Sequence, residues 1–153
     1  MRTFLLALLI AGAGTVLGLA VNTVSPRRLP VITPPKVELQ PTDFIALTDA
    51  RQLWQSSAAL FLDARAPADY KDGHIAGAFN LPVEDFNARY PEIATLLTME
   101  TVIVTYCDGV ECDLSHHLTE RLRAFGYRNV RVLQNGWTVW RQADLTTVTG
   151  TKP

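Results

Sequence analysis

Cysteine is scarce in this chain: two in 153 residues, both within 107–112. A small fold stapled by disulfides needs more, and needs them spread along the chain, so cross-linking is excluded as the source of stability. Two thiols in one short stretch point instead to local redox or nucleophilic chemistry. Charge of one sign is also missing, with 14 Lys and Arg against 15 Asp and Glu and a formal net charge of -1. The basic residues are scattered and no aromatics interleave with them, so the sequence has no electrostatic footprint for nucleic acid. Internal repeats and low-complexity tracts are absent. From Phe4 to Val21 there is no charged residue at all.

That uncharged run, extended through Val24, makes a helix of roughly 30 Å, the thickness of a hydrocarbon core. Residues 3–24 are therefore expected to be a membrane anchor, in the form of one hydrophobic N-terminal helix. The competing reading is a signal peptide, since Arg2 gives a basic start and Gly18-Leu19-Ala20 a small-x-small site. The apolar run exceeds the usual signal core, which favours an anchor. Arg2 and the amino terminus on one side nearly balance Arg27 and Arg28 on the other. The reading leans to a periplasmic or other extracytoplasmic domain, with secretion after cleavage as the alternative. Gly14 and Gly18 have the spacing that lets two helices approach, although small residues are common in spans.

Residues 25–36 hold Pro26, Pro30, Pro34 and Pro35. Proline removes backbone donors and favours extended geometry, so this segment reads as a stiff linker. A domain of about 110 residues follows over 37–147, enough for one core. Residues 148–153 read as a tail.

Inside the domain, strands and helices alternate. Val37 to Leu39 and Phe44 to Ala46 read as short strands, and Thr48 as the cap of a helix through Trp54. Ala59–Asp63 is the next strand, with polar and turn residues from Arg65. A short strand at Ala78–Leu81 stops at Pro82, and helical character runs from Val83 to Leu97. Val102–Tyr106 reads as a strand buried on both faces. Leu114, Leu118, Leu122 and Phe125 then recur at helical spacing until Gly126. Val130–Leu133 is a strand, Asn135-Gly136 a turn, and a last helix carries Trp137 and Trp140. The expected fold is α/β: a small, mostly parallel sheet of about five strands with helices on both faces. In such sheets chemistry sits at the C-terminal strand ends, where Cys107 falls.

A strand that delivers a cysteine onto a loop capped by a helix N-terminus is a chemical device. Amides of the turn and of the unpaired first helical turn can surround whatever the sulfur carries.

Four segments in order resemble the rhodanese domain: Phe61-Leu-Asp-Ala-Arg65, Gly73-His-Ile-Ala-Gly-Ala-Phe-Asn-Leu-Pro82, the cysteine loop after Tyr106, and Val130-Arg-Val-Leu-Gln-Asn-Gly-Trp137 with Trp140. The resemblance implies a persulfide on the active cysteine, passing sulfane sulfur from a donor such as thiosulfate to a thiol acceptor, small molecule or protein. It makes Cys107 the catalytic nucleophile and Asp108, Gly109, Val110, Glu111 and Cys112 the active-site loop, whose amides surround the sulfur. Asp63 and Arg65 match the family's Asp-x-Arg near the site. No metal or organic cofactor is required. The implied partners are the sulfur donor and acceptor, the membrane through the N-terminal helix, and a membrane protein.

Two departures from the family pattern stand out. Asp108, Glu111 and Asp113 bring carboxylates to a loop that often carries Arg or Lys, which disfavours a dianion such as thiosulfate and favours a neutral donor or a protein persulfide. Cys112 lies five positions after Cys107. As a resolving thiol it would attack the Cys107 persulfide, release hydrogen sulfide and close a disulfide; as a small residue it would merely fill the loop. Bridging needs Cα atoms within about 7 Å. The sixth position after Cys107 is Asp113, where a phosphate-gripping loop needs arginine, so phosphatase chemistry is excluded.

His74 reads as scaffold. His116, four residues after Cys112, reads either as support for its thiolate or as part of a solvated helix face, and Trp137 and Trp140 as core. Arg65 either orients substrate or pairs with Asp63. Three functions stand: a membrane-tethered sulfurtransferase using Cys107, a thiol-disulfide or persulfide sensor using both cysteines, and a catalytically silent interaction module.

Overall fold

The computed structural model describes residues 39–109 and 112–153, with Phe4 and Val21 besides. Apart from Phe4 and Val21, the expected anchor and linker lie outside the described residues, as do Val37, Val110 and Glu111. No helix among the described residues is long and apolar enough to cross a membrane. The chain divides into a unit at 1–36 and a compact unit at Val37–Pro153, and the sheet with its flanking helices belongs to the second.

In chain order the elements are α1 (Leu47–Gln55), β1 (Leu60–Asp63), α2 (Pro67–Asp72), β2 (His74–Ile75), β3 (Phe79–Asn80), α3 (Phe86–Ile93), β4 (Ile103–Tyr106), α4 (Leu114–Ala124), β5 (Val130–Leu133), α5 (Gly136–Gln142) and β6 (Thr147–Val148). The main sheet has the order β3-β1-β4-β5, with every pairing parallel. Parallel neighbours require crossover connections, and the helices supply them.

Alternation along the strands sorts the side chains into two apolar layers. Leu62, Ile103 and Val130 face α3 and α4, joining Phe86, Ile93, Leu118 and Leu122. Phe61, Val104 and Leu133 face the opposite way and meet Ala50 of α1 and Trp140 of α5. Trp140 is fully buried, with its ring set edge-on to Trp54 and Phe61. Apolar side chains on both faces explain why β4 reads as a continuous hydrophobic run.

Register decides where the loops meet. Asp63 pairs with Tyr106, and Tyr106 with Leu133. The chain segments leaving β1, β4 and β5 therefore emerge side by side, placing Arg65, Cys107 and the Asn135-Gly136 turn at one edge. Asn135 takes a left-handed conformation (φ 50°), and a Cβ on Gly136 would lie 2.6 Å from the Tyr106 Cβ. Only glycine lets α5 start so close to β4.

Several expectations need correction. Phe44 forms one isolated parallel bridge to Val132 rather than a strand, because the 3-10 turn at Pro41–Asp43 turns the chain just before it. Thr48 lies inside α1; Ala46 is the N-cap and makes no side-chain bond. The stretch after Arg65 contains α2, started by Pro67 at a position that needs no amide donor. The helix expected from Val83 to Leu97 is shorter, α3 followed by a 3-10 turn at Ala94–Leu96. The tail is not free: β6 pairs antiparallel with β2, Gly150 N–H donates to Lys71 O, and the Lys152 carbonyl meets His74 Nε2 at 3.0 Å. Unpaired polar groups on β2 give the last residues their partners. His74, fully buried and stacked on Tyr70 at 3.6 Å, is scaffold as expected.

Candidate active site

Cys107 follows the last residue of β4 and is 1% exposed. Its carbonyl accepts the Trp137 N–H at 3.0 Å, tying the cysteine loop to the start of α5. Cys112 stands just before α4, half-buried, and the two cysteines form a disulfide with Cα atoms 6.4 Å apart. That separation lies within the span a disulfide allows. Of the two sequence readings of Cys112, the structure supports a thiol that reaches Cys107.

Ser115, in the first turn of α4 and 1% exposed, places its hydroxyl 3.3 Å from the Cys107 sulfur. Sequence reasoning missed this residue; its one signal was a polar side chain on the buried face of the helix, one residue after Leu114. Behind it, Thr105 Oγ1 lies 2.7 Å from Thr119 Oγ1 and donates to Ser115 O. The Ser115 hydroxyl thus meets the sulfur with a dipole that carries no charge.

Two of the described loop amides have partners other than the sulfur. Gly109 N–H donates to Asn135 Oδ1 (2.8 Å) and Asp108 Oδ1 (3.0 Å), and Cys112 N–H donates to Gly109 O. These two amides are taken up within the loop and its neighbour, and the amides of Val110 and Glu111 lie outside the described residues. Asp108 turns toward α5, where Thr138 Oγ1 donates to its carboxylate at 2.5 Å. The Asp113 side chain is 73% exposed, so water weakens its influence on the sulfur.

Asp63 and Arg65 form a forked ion pair under the site. Arg65 Nη2 donates to Asp63 Oδ2 at 2.7 Å, Nε to Oδ1 at 3.1 Å, and Nη2 also to the Gly73 carbonyl at 2.6 Å. Asp63 is fully buried and Arg65 6% exposed. Burial opposes the Arg65 charge, but the Asp63 hydrogen bond and charge outweigh it and raise its pKa further. Burial also pushes the Tyr106 hydroxyl well above its ordinary range, and the neighbouring Asp63 charge adds to the shift.

Arg65 further stacks on Trp137, with its guanidinium carbon 4.5 Å from the ring centroid, and Arg141 approaches the same ring at 5.5 Å. Trp137 packs against the core layer of Trp140 but stays partly exposed, and also lines a cavity of about 390 Å³ with Arg65, Asp69, Asp72, Asp108, Cys112 and Arg141. Three-residue spacing sends Trp140 into the core and Trp137 to its rim. Cys112, not Cys107, faces this cavity. His116 lies edge-on to Phe44 at 5.5 Å, with its Nδ1 3.7 Å from Asp113 Oδ1.

The site is thus a disulfide-bonded cysteine on the loop between a central strand and a helix of a parallel α/β domain. Residues 46–143 match the rhodanese-like domain family, and the chain belongs to it. It is 31% identical over 105 residues to the HTH-type transcriptional regulator Rv0324 of Mycobacterium tuberculosis, covering 69% of this chain and 44% of the regulator. It is 30% identical over 105 residues to the protein slr1261 of Synechocystis sp., covering 68% of this chain and 55% of that one. The chain therefore spans about half the length of these curated relatives. The crystal structure of the BH2092 protein from Bacillus halodurans superposes with a TM-score of 0.62 at 25% identity, over 72% of this chain and 79% of that one.

Proposed function

We propose that this chain is a rhodanese-type sulfurtransferase that carries sulfane sulfur as a persulfide on Cys107, with Cys112 as its resolving thiol. The observation that carries the reading is the bonded pair of sulfurs at the C-terminal end of β4. In the first step the Cys107 thiolate attacks the outer sulfur of a persulfide donor; the donor's S–S bond breaks and its thiolate leaves. The new persulfide either passes its outer sulfur to an acceptor thiolate or is resolved. In resolution the Cys112 thiolate attacks the Cys107 sulfur, hydrosulfide leaves with the bonding pair, and the disulfide closes.

With Arg65 paired to Asp63, the carboxylates of Asp69, Asp72 and Asp108 outnumber the Arg141 cation around the cavity and disfavour a small dianion, so the donor is a neutral one or a protein persulfide rather than thiosulfate. The apolar run at 3–24 supports tethering to a membrane, and the domain is placed on the outer side as part of the proposal. A protease-protection assay that finds the domain sheltered on the inner side would overturn that placement.

A second reading, a persulfide or thiol-disulfide sensor, is favoured by the disulfide and by the similarity to a transcriptional regulator. Mass spectrometry after incubation with polysulfide separates the two. Persulfide retained on Cys107 in Cys112→Ser, and passed on to an added thiol, supports transfer. A disulfide formed in the native chain with loss of sulfur, and no passage to acceptors, supports sensing. If neither cysteine is modified by any donor, both fail and a silent interaction module remains.

A further inference from the structure

The disulfide presents its two sulfurs unequally. Cys107 is 1% exposed and packed among Leu62, Leu81, Phe86 and Leu118, while Cys112 is half-buried and lines the cavity of about 390 Å³. A thiolate arriving from solvent therefore meets Cys112 first. Attack there breaks the Cys107–Cys112 bond, and the electron pair leaves on Cys107, whose sulfur the Ser115 hydroxyl approaches at 3.3 Å. A donor on the leaving sulfur lowers the cost of its negative charge, and a stabilised leaving thiolate speeds exchange. In the disulfide-closed form the reverse attack, on Cys107 with Cys112 leaving, has neither access nor that donor.

Charge around the cavity narrows what arrives. Arg141 is exposed and contributes a cation held beside the Trp137 ring. On the α2 side, Asp69 and Asp72 are exposed, and among the described residues neither carboxylate has a hydrogen-bond or ion-pair partner. Arg65 is neutralised by Asp63, and Asp108 is engaged by Thr138. Among the described residues, the charged side chains of the cavity without a hydrogen-bond or ion-pair partner are thus the Arg141 guanidinium on α5 and the two carboxylates on α2, with the Cys112 sulfur also exposed to the cavity. A purely anionic or purely cationic thiol satisfies only one side.

We propose that this cavity is the docking site of a small zwitterionic thiol of the amino-acid or γ-glutamyl class, which opens the disulfide at Cys112. Its carboxylate pairs with Arg141 and its ammonium with Asp69 and Asp72. One thiolate forms a mixed disulfide with Cys112 and frees the Cys107 thiolate. A second attacks the outer sulfur of that mixed disulfide, leaving as the disulfide of the small thiol and returning Cys112 as thiolate. Two thiols are oxidised and the protein gains two electrons. The inference rests on the reading of this loop as the reactive site, and makes Cys112 the point at which the oxidised protein is returned to service.

The test uses the full chain in its oxidised form and follows disulfide opening, not sulfur transfer. Free cysteine, cysteamine, mercaptopropionate and mercaptoethanol are compared at equal thiolate concentration, with iodoacetamide quenching and peptide mass mapping. Cysteine is expected to be fastest, with the cysteinyl adduct on Cys112 and the alkyl group on Cys107. Arg141→Gln is expected to slow cysteine and mercaptopropionate about threefold and leave cysteamine unchanged, whereas Asp69→Asn with Asp72→Asn slows cysteine and cysteamine by a similar factor. Adducts on Cys107, or variants that slow all four thiols alike, would overturn the proposal. So would oxidised protein without the Cys107–Cys112 bond, a result that leaves persulfide formation on Cys107 to be settled by its own measurement.

Discussion

Asp63 and Arg65, two residues apart at the end of β1, are locked together by three side-chain hydrogen bonds of 2.7 to 3.2 Å beneath the cysteine loop. The same carboxylate accepts the Arg65 backbone N–H at 2.9 Å, so it shapes the turn as well as neutralising the charge. An unmatched charge buried at this depth is strongly unfavourable. Asp63→Asn is expected to lower unfolding stability by about 3 to 5 kcal/mol, read from urea denaturation. Adding Arg65→Gln recovers part of that loss by removing the orphaned guanidinium. Costs that simply add in the double variant would show that the two groups are not coupled.

The Ser115 hydroxyl lies 3.3 Å from the Cys107 sulfur and is itself buried. Ser115→Ala removes it with little change of volume. In the reduced protein, alkylation of Cys107 by iodoacetamide at neutral pH is expected to fall about three- to tenfold, while that of Cys112 stays the same. Equal slowing at both cysteines would point to a general loosening of α4 instead.

Asp43 and Arg123 join the segment before α1 to α4 through two hydrogen bonds of 2.8 and 2.6 Å. The Arg123 hydrogen bond holds the Asp43 carboxyl down at about 2, from an ordinary 3.8. A carboxylate with a depressed folded value stabilises the fold fully above its unfolded pKa and loses that contribution as pH falls through the folded one. The window is therefore from near pH 4 down to near pH 2. With both side chains partly in contact with water, the contribution is about 1 kcal/mol. Asp43→Asn is expected to lose that amount at neutral pH and to flatten the acid limb across the window, as followed by unfolding at graded pH. An unchanged acid limb would assign the stability to other carboxylates.

Gly136 has no room for a side chain: a Cβ would sit 2.6 Å from Tyr106 Cβ and 3.1 Å from Leu133 Cγ. Gly136→Ala is expected to cost about 1 to 3 kcal/mol and to displace α5 from β4. Because Trp137 follows directly, quenching of its fluorescence by acrylamide should rise along with the stability loss. Full stability in this variant would mean that the turn can move without penalty.

What could be read before folding was whatever depends on local pattern. Val130–Leu133 falls at the residues expected, and the β4 strand and the helix after it lie within a residue of their expected ends, because an apolar run and a helical repeat are short-range signals. The family resemblance was equally legible, carried by four contiguous segments. Less local features were not. Thr147–Val148 pairs with His74–Ile75 across more than half the domain, and neither two-residue segment has a periodicity to reveal it. Trp137 and Trp140 look alike in sequence, yet only the direction of α5 over the sheet sends one to the core and the other to a cavity shared with two arginines.

The cysteine pair shows the same division. Sequence alone determined that two thiols flank a short loop between a buried strand and a helix, and that Asp113 occupies the place a phosphate-binding arginine would need. Only the tertiary structure decided that the sulfurs meet, that Ser115 lies behind one and the mixed-charge cavity before the other, and that Asp63 claims Arg65. Those outcomes depend on strand register and helix direction, which align three separate loops at one sheet edge; residue order encodes them only through the packing of the whole domain.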